Sequence, residues 1–190
     1  LFPISEDGRG TYIMNSKDMC LVDHIAELVE AGITSFKIEG RMKTPYYVAT
    51  TVNAYKRAIN EYLLGQKPSF NYVEELEKTS HRKFTTGFYF NSDQKTNNES
   101  SLAISDSTFV GLVKEENKDG YVKIEIRNKF VKGDTLEILS PTDSFNKTFV
   151  VQEMKNEDGE TIDTANKVSS IIYLKCDIPL IEFDMLRKDN

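Results

Sequence analysis

The sequence predicts an α/β segment followed by a small all-β barrel. Three observations carry this expectation. Between Asn15 and Gly65 a helix, a strand and a helix follow one another with tight connections. From Asn91 to Ser107 the chain is nearly all polar, rich in Asn and Ser, with neither helical nor strand period. Beyond it lie short alternating or β-branched runs separated by Gly and Pro turns. The 190 residues suit one mid-sized domain or two small ones, and 39% hydrophobic residues are enough to fill a core.

Taken in order, Leu21, Val22, Ile25, Leu28 and Val29 recur at helical spacing, with Asn15 or Ser16 as the cap and Gly32 as a left-handed stop. Phe36 and Ile38 then alternate with Ser35 and Lys37, which reads as a short strand over Ile33 to Glu39, broken at Gly40. Thr44-Pro45 supplies a cap and a first-turn proline for a longer helix, whose apolar face is Val48, Val52, Tyr55, Ile59 and Tyr62 and which ends by Gly65. Asn71 with Glu74 resembles a capping box for a short third helix ending before His81. One strand makes no sheet. A (β/α)8 barrel takes about 250 residues, so residues 1–90 supply only the last units of a TIM-barrel-like catalytic domain, the remainder lying upstream. The amino-terminal Leu1-Phe2-Pro3 has neither an initiator Met nor a signal-peptide layout, and reads as a cut edge within a longer protein.

After the 91–107 linker, strands are expected at Phe109–Val113, Tyr121–Arg127, Thr135–Leu139, Thr148–Met154 and Ser169–Leu174. Asp119-Gly120, Gly133-Asp134, Pro141 and Asp158-Gly159 punctuate them. Five or six short strands over 108–190 close most naturally into a small barrel.

Charge and cysteine usage bound the chemistry. Twenty-four Lys and Arg against 30 Asp and Glu give a net charge of -6, which disfavours a general nucleic-acid coat while leaving room for a local basic site. No apolar run approaches the roughly 18–20 residues of a membrane span, so no membrane partner is expected. Cys20 and Cys176 are the two cysteines, too few for a disulfide scaffold or a zinc ribbon, and the chain reads as cytoplasmic, without a metal site of its own. Cys20 is either reactive near a helix start or a small buried hydrophobe.

The densest polar cluster is Lys37-Ile38-Glu39-Gly40-Arg41-Met42-Lys43, at the carboxyl end of the expected strand, where α/β architectures gather their active-site loops. Glu39 suits acid, base or acceptor work. Arg41 and Lys43 suit a phosphate or carboxylate ahead of a helix start. The competing reading is a Glu39–Arg41 ion pair that closes a loop. His81 and Arg82 form a second cluster, a proton-transfer group beside an anion holder, against the alternative of a structural histidine. Glu39, Arg41 and His81 are thus the catalytic candidates, and Lys43 and Arg82 the substrate-binding ones. His24 is expected to be structural. Tyr46-Tyr47 and Phe88-Tyr89-Phe90 are expected in the core, with stacking on bases as the alternative. The glycines match no dinucleotide fingerprint or P-loop.

Several blocks resemble a known family. Glu6-Asp7, the run Gly10-Thr11-Tyr12-Ile13-Met14-Asn15-Ser16-Lys17-Asp18-Met19-Cys20-Leu21, the run Lys37 to Lys43, Tyr47-Val48-Ala49 and Tyr55-Lys56-Arg57-Ala58 are similar to consecutive blocks of peptidase family U32. Ser80-His81-Arg82 and Thr86 to Phe90 resemble the branch that modifies transfer RNA. Asn128-Lys129-Phe130 and Gly133 to Glu137 resemble the small barrel appended to it. The resemblance implies a barrel-like catalytic domain, first classed as a collagenase-like protease. In the branch most similar, it implies 5-hydroxylation of the wobble uridine of tRNA. It also implies an iron–sulfur cluster held by four cysteines upstream of these blocks, and none in this chain. The expected function is that of a part of such a tRNA-hydroxylating parent. The alternatives are a peptidase and an RNA- or protein-binding accessory barrel. The 190 residues alone are expected to be inactive and to bind no iron.

Overall fold

The computed structural model describes residues 4–8, 10–13, 17–91 and 103–190. Two compact units divide at Ser105/Asp106. Most of the expected 91–107 linker, residues 92–102, lies outside the described residues.

The first unit opens with an antiparallel hairpin of β1 (Ile4–Asp7) and β2 (Gly10–Ile13). Strand β3 (Asp18–Met19) follows, then a 3-10 turn at Val22–His24 that runs into α1 (Ile25–Glu30). The first expected helix therefore begins later than its periodicity suggested. Asn15 and Ser16 lie outside the described residues, and Asp18 and Met19 are drawn instead into a parallel ladder with β4 (Phe84–Thr85). At its other end the prediction holds. Gly32 sits at φ +84, and the Ile33 N–H returns to the Leu28 carbonyl at 3.0 Å.

Helix α2 (Pro45–Leu63) starts as read, with Thr44 Oγ1 accepting the Tyr47 N–H at 3.2 Å and Pro45 in the first turn. Its buried stripe is different. Tyr46, Thr50, Ala54 and Ala58, spaced by four, face the core with Thr51, while Val48 and Val52 are exposed and Tyr55, Ile59 and Tyr62 are half-buried at the core margin. Apolar type alone marked the wrong side, because Ala and Thr are weak hydrophobic markers that nonetheless let helices approach closely. Helix α3 (Tyr72–Glu77) is capped as expected, Asn71 Oδ1 accepting the N–H groups of Val73 and Glu74 at 3.0 and 3.2 Å. Val22, Ile25, Ala54, Ala58, Tyr72 and Leu76 form the shared core.

The expected strand at Ile33–Glu39 is not a strand here. Phe36 and Ile38 are half-buried and their neighbours exposed, as period two requires, yet no ladder partner stands beside them among the described residues. Strand structure needs a neighbour's hydrogen bonds, which local alternation cannot supply.

The second unit is all β. Its strands are β5 (Ser107–Lys118), β6 (Tyr121–Ile126), β7 (Phe130–Val131), β8 (Thr135–Leu139), β9 (Thr148–Val150), β10 (Met154–Lys155), β11 (Thr161–Ile162), β12 (Thr164–Ala165), β13 (Ile171–Lys175) and β14 (Met185–Asp189). Eight form one antiparallel sheet in the order β11-β10-β13-β6-β5-β14-β8-β9, and β7 pairs with β12 separately. The sheet curls into a half-barrel, and its end strands β11 and β9 are not hydrogen-bonded to each other, so the expected closure into a barrel is incomplete. The β5–β6 hairpin turns at Asp119 (φ 52) and Gly120 (φ 80), the two positive angles that an Asp-Gly turn suits. Val122, Ile124 and Ile126 alternate inward from β6 into a core with Val110, Leu136, Ile172 and Leu186.

Strand β14 has no counterpart among the expected strands, since Met-Leu-Arg-Lys-Asp reads as polar. It is nevertheless central, paired with β5 and β8. Its Arg187 is fully buried, donating from Nε to Glu137 Oε1 at 2.7 Å and from Nη2 to Asn146 Oδ1 at 2.8 Å.

Candidate functional site

The parallel β3–β4 register places Asp18 opposite Phe84, with the Asp18 N–H donating to the Lys83 carbonyl at 3.0 Å. The Asp18 carboxylate therefore meets the residue that precedes β4 by two positions, Arg82. Oδ2 accepts the Arg82 backbone N–H at 3.0 Å. Oδ1 accepts Arg82 Nε at 3.0 Å and lies 2.8 Å from Nη2. Lys43 reaches the same carboxylate, its Nζ 3.7 Å from Oδ2, while donating to the Ser80 carbonyl at 2.9 Å and standing 4.7 Å from the centre of the Tyr47 ring. Burial pushes the Asp18 carboxyl up, but the Arg82 N–H, the Arg82 guanidinium and Lys43 outweigh it and hold the group below the usual carboxylate range. An acid so held is a carboxylate at neutral pH, and a poor base. Its role here is to position two cations.

These side chains line one cleft of about 580 Å³ in the first unit, with Glu39 and Arg41 on another part of its wall. The loop that carries Glu39 and Arg41 is built locally. Glu39 Oε1 accepts the Arg41 backbone N–H at 3.0 Å, and the Lys43 N–H donates to the Gly40 carbonyl at 3.0 Å. A Cβ on Gly40 would stand 3.0 Å from Val48 Cγ2, so the loop packs closely on the start of α2. The alternative of a Glu39–Arg41 ion pair is not what closes this loop; the carboxylate bonds to backbone instead, and the Arg41 guanidinium has no ion-pair partner among the described residues. Glu39 and Arg41 are both exposed.

The cleft thus unites Glu39, Arg41, Lys43 and Arg82, and leaves out His81. That ring is buried, stacked on Phe84 with centroids 4.6 Å apart, and its Nδ1 lies 3.0 Å from the Arg82 carbonyl. The His81 backbone exchanges two hydrogen bonds with Ile104. Next to Arg82 in sequence, it faces the interior while Arg82 faces the cleft. His24 stacks on Phe90 at 4.0 Å and contacts Glu27 Oε1 at 3.1 Å.

Sequence reasoning missed Asp18. It lay within the block Asp18-Met19-Cys20, but the Arg82 that gives it meaning is 64 residues away. Nor are Phe88, Tyr89 and Phe90 core residues as expected: they are 90%, 54% and 51% exposed. The turn that presents them is defined, with Gly87 at φ +67, Phe90 at φ 58 and Thr86 Oγ1 donating to the Tyr89 carbonyl at 3.0 Å.

Cys20 is half-buried beside Tyr55, whose hydroxyl accepts the Leu21 N–H at 2.9 Å; burial pushes both the Cys20 thiol and the Tyr55 hydroxyl up. Cys176 is buried in the second unit and its thiol is pushed up likewise. An iron–sulfur cluster takes four thiolates. Two cysteines in separate units do not fit one, and no group of three or more His, Cys, Asp or Glu among the described residues is placed to hold a metal.

Comparison with known proteins places these features. The family model for Peptidase family U32 matches residues 3–99, and that for Peptidase family U32 C-terminal domain matches residues 105–187. The tRNA hydroxylation protein P of Haemophilus influenzae is 36% identical over 173 residues, covering 89% of this chain and 37% of that protein. The protein of the same name from Escherichia coli is 38% identical over 163 residues, 84% of this chain and 36% of its own length. A Porphyromonas gingivalis protein named Collagenase is 32% identical over 143 residues, 72% of this chain and 40% of that one. The chain spans somewhat over a third of the length of these two tRNA-hydroxylation relatives. With one family model over its first half and that family's C-terminal model over its second, the chain belongs to peptidase family U32.

Proposed function

We propose that this chain is part of a protein that hydroxylates tRNA, adding the hydroxyl at the 5-position of the wobble uridine, and that its first unit contributes to the substrate cleft of a TIM-barrel-like catalytic domain. The observation that carries the reading is the similarity along 89% of the chain to a protein named for tRNA hydroxylation. The cleft agrees in charge. Its lining holds five cations, Lys17, Lys37, Arg41, Lys43 and Arg82, against Asp18 and Glu39, in a chain whose net charge is -6. Such a local excess suits a phosphate-bearing substrate.

The unpaired extended segment Ile33–Glu39 and the exposed Val48 and Val52 support the barrel reading, since both need cover that longer relatives have chain to supply. The oxidising chemistry and any iron–sulfur cluster belong, on this reading, to residues outside the present 190. Within them Asp18 orients Arg82 and Lys43 toward an anion, and Glu39 offers its second carboxylate oxygen to a proton or hydroxyl. The peptidase alternative finds less support. Among the described residues no Ser, Thr or Cys side chain is hydrogen-bonded to a histidine, and the Cys20 thiol is pushed away from ionisation.

The test is mass spectrometry of tRNA nucleosides from a strain lacking the gene. Loss of the hydroxylated wobble uridine, restored by the parent gene, supports the proposal. Unchanged nucleosides together with lost collagen-peptide cleavage would transfer the assignment to proteolysis.

A further inference from the structure

One of the exposed aromatics, Tyr89, lies on the same cleft as three cations of the first unit, and Phe88 precedes it on the turn at the cleft's edge. Tyr89 and Met19 line it, and Met19 Sδ sits 3.1 Å from where a Cβ on Gly87 would be, directly beneath the turn that carries Phe88. Lys17, Lys37 and Arg41 line it too, and none has an ion-pair partner among the described residues. Phe88 is 90% exposed on a turn fixed by two left-handed residues, Gly87 and Phe90, so the ring is held out from the chain. Charge separates the two units as well. Counted from the sequence, residues 1–105 hold 12 cations and 13 acids, a net of -1, and residues 106–190 hold 12 and 17, a net of -5. The half-barrel is therefore the poorer partner for a polyanion.

We infer that the cleft of the first unit binds unpaired RNA nucleotides, with Lys17, Lys37 and Arg41 on the phosphates and Phe88 and Tyr89 under the bases. The inference rests on the tRNA reading above and adds where and how the RNA is held. Aromatic faces select unpaired bases because a duplex hides its base faces in its own stack, whereas cations alone do not discriminate. Arg82 and Lys43 are held by Asp18 and form the fixed floor of the site, and the three unpaired cations provide the salt-sensitive contact.

The experiment is fluorescence anisotropy with the 190-residue chain, a labelled anticodon stem-loop RNA and a labelled duplex without a loop, over a series of salt concentrations. The stem-loop is expected to bind more tightly than the duplex. Replacing Lys17, Lys37 and Arg41 together by Gln is expected to flatten the slope of log affinity against log salt by about 2, at roughly 0.7 per phosphate contact. Phe88→Ala with Tyr89→Ala is expected to keep the slope and weaken stem-loop binding by about 5- to 150-fold for each base that loses its stack, leaving the duplex unchanged. Circular dichroism melting confirms that each variant is folded, and the aromatic pair decides the matter if the cation variant is not. Equal affinity for stem-loop and duplex, or full affinity in the Phe88/Tyr89 variant, overturns the inference. So does loss of RNA binding when the chain is extended to its relatives' length. The two readings fail separately. A deletion strain that loses the modified nucleoside while the chain binds no RNA removes only the binding mode, and an unchanged nucleoside profile in that strain with RNA bound as described removes only the assigned reaction.

Discussion

Asp18→Asn tests how the site is assembled. The substitution keeps the side chain's size and one neutral acceptor, and removes the charge that meets Arg82 through Oδ2 at 3.0 Å from the backbone N–H and through Oδ1 at 3.0 Å from Nε and 2.8 Å from Nη2. A hydrogen bond to a charged group contributes about 1.5–3 kcal/mol net. The Arg82 side chain is 40% exposed, so its guanidinium contact is discounted toward the roughly 0.2–1 kcal/mol of a surface pair. The Asp18 side chain is itself mostly buried, and its backbone contact keeps the larger value. Crediting Asn with a neutral acceptor of about 1 kcal/mol leaves an expected loss of about 2 kcal/mol at neutral pH. For a unit of this size that is a fall of roughly 10 °C in Tm, at about 4–8 °C per kcal/mol. The sign with pH follows from the depressed native pKa. The stabilisation is present above the unfolded value of about 3.9 and is lost as pH falls through the native value, so the gap between parent and Asn variant closes in acid. The helices lie in the first unit alone among the described residues, so the helical part of the far-ultraviolet signal reports that unit. A loss below about 0.5 kcal/mol, the scale of an ordinary surface substitution, or a gap that does not narrow with acid, would refute the account of Asp18 as the organiser of the cleft.

In the second unit, Glu137→Gln strips the buried Arg187 of its counter-charge and is expected to cost about 3–5 kcal/mol, whereas Arg187→Met with Glu137→Gln is expected to be near neutral; urea titration of all three chains checks this, and a double variant as unstable as the single one would contradict it. Glu39→Gln is expected to change Tm little, since the contact with the Arg41 N–H is exposed, while reducing tRNA hydroxylation in the parent protein; full product with a sharply lowered Tm would make Glu39 structural.

What the sequence by itself determined is what neighbouring residues settle among themselves. Thr44-Pro45 and Asn71 start their helices with side chains that reach only three residues on, Gly32 ends α1 with its own positive φ, and Asp119-Gly120 turns the β5–β6 hairpin. The loop cluster Glu39 to Lys43 was legible as chemistry for the same reason, being contiguous. The tertiary structure decided everything that depends on distant partners. Asp18 became the centre of the site only when the parallel β3–β4 pair carried it to Arg82, and that pair also took Asp18 and Met19 from the expected helix. His81, adjacent to Arg82, faced the interior because β4 gave its ring Phe84 to stack on. Ile33–Glu39 has a strand's alternation and no ladder among the described residues, because hydrogen-bonded pairing is a property of two segments. Strand β14 was hidden by its charges until Glu137 and Asn146, 50 and 41 residues away, made a buried arginine tolerable. Hydrophobicity likewise assigned Phe88 to Phe90 to a core that this stretch of chain does not provide, and the exposure of Tyr89 on the cleft beside Lys17, Lys37 and Arg41 is a feature that only the folded chain displays.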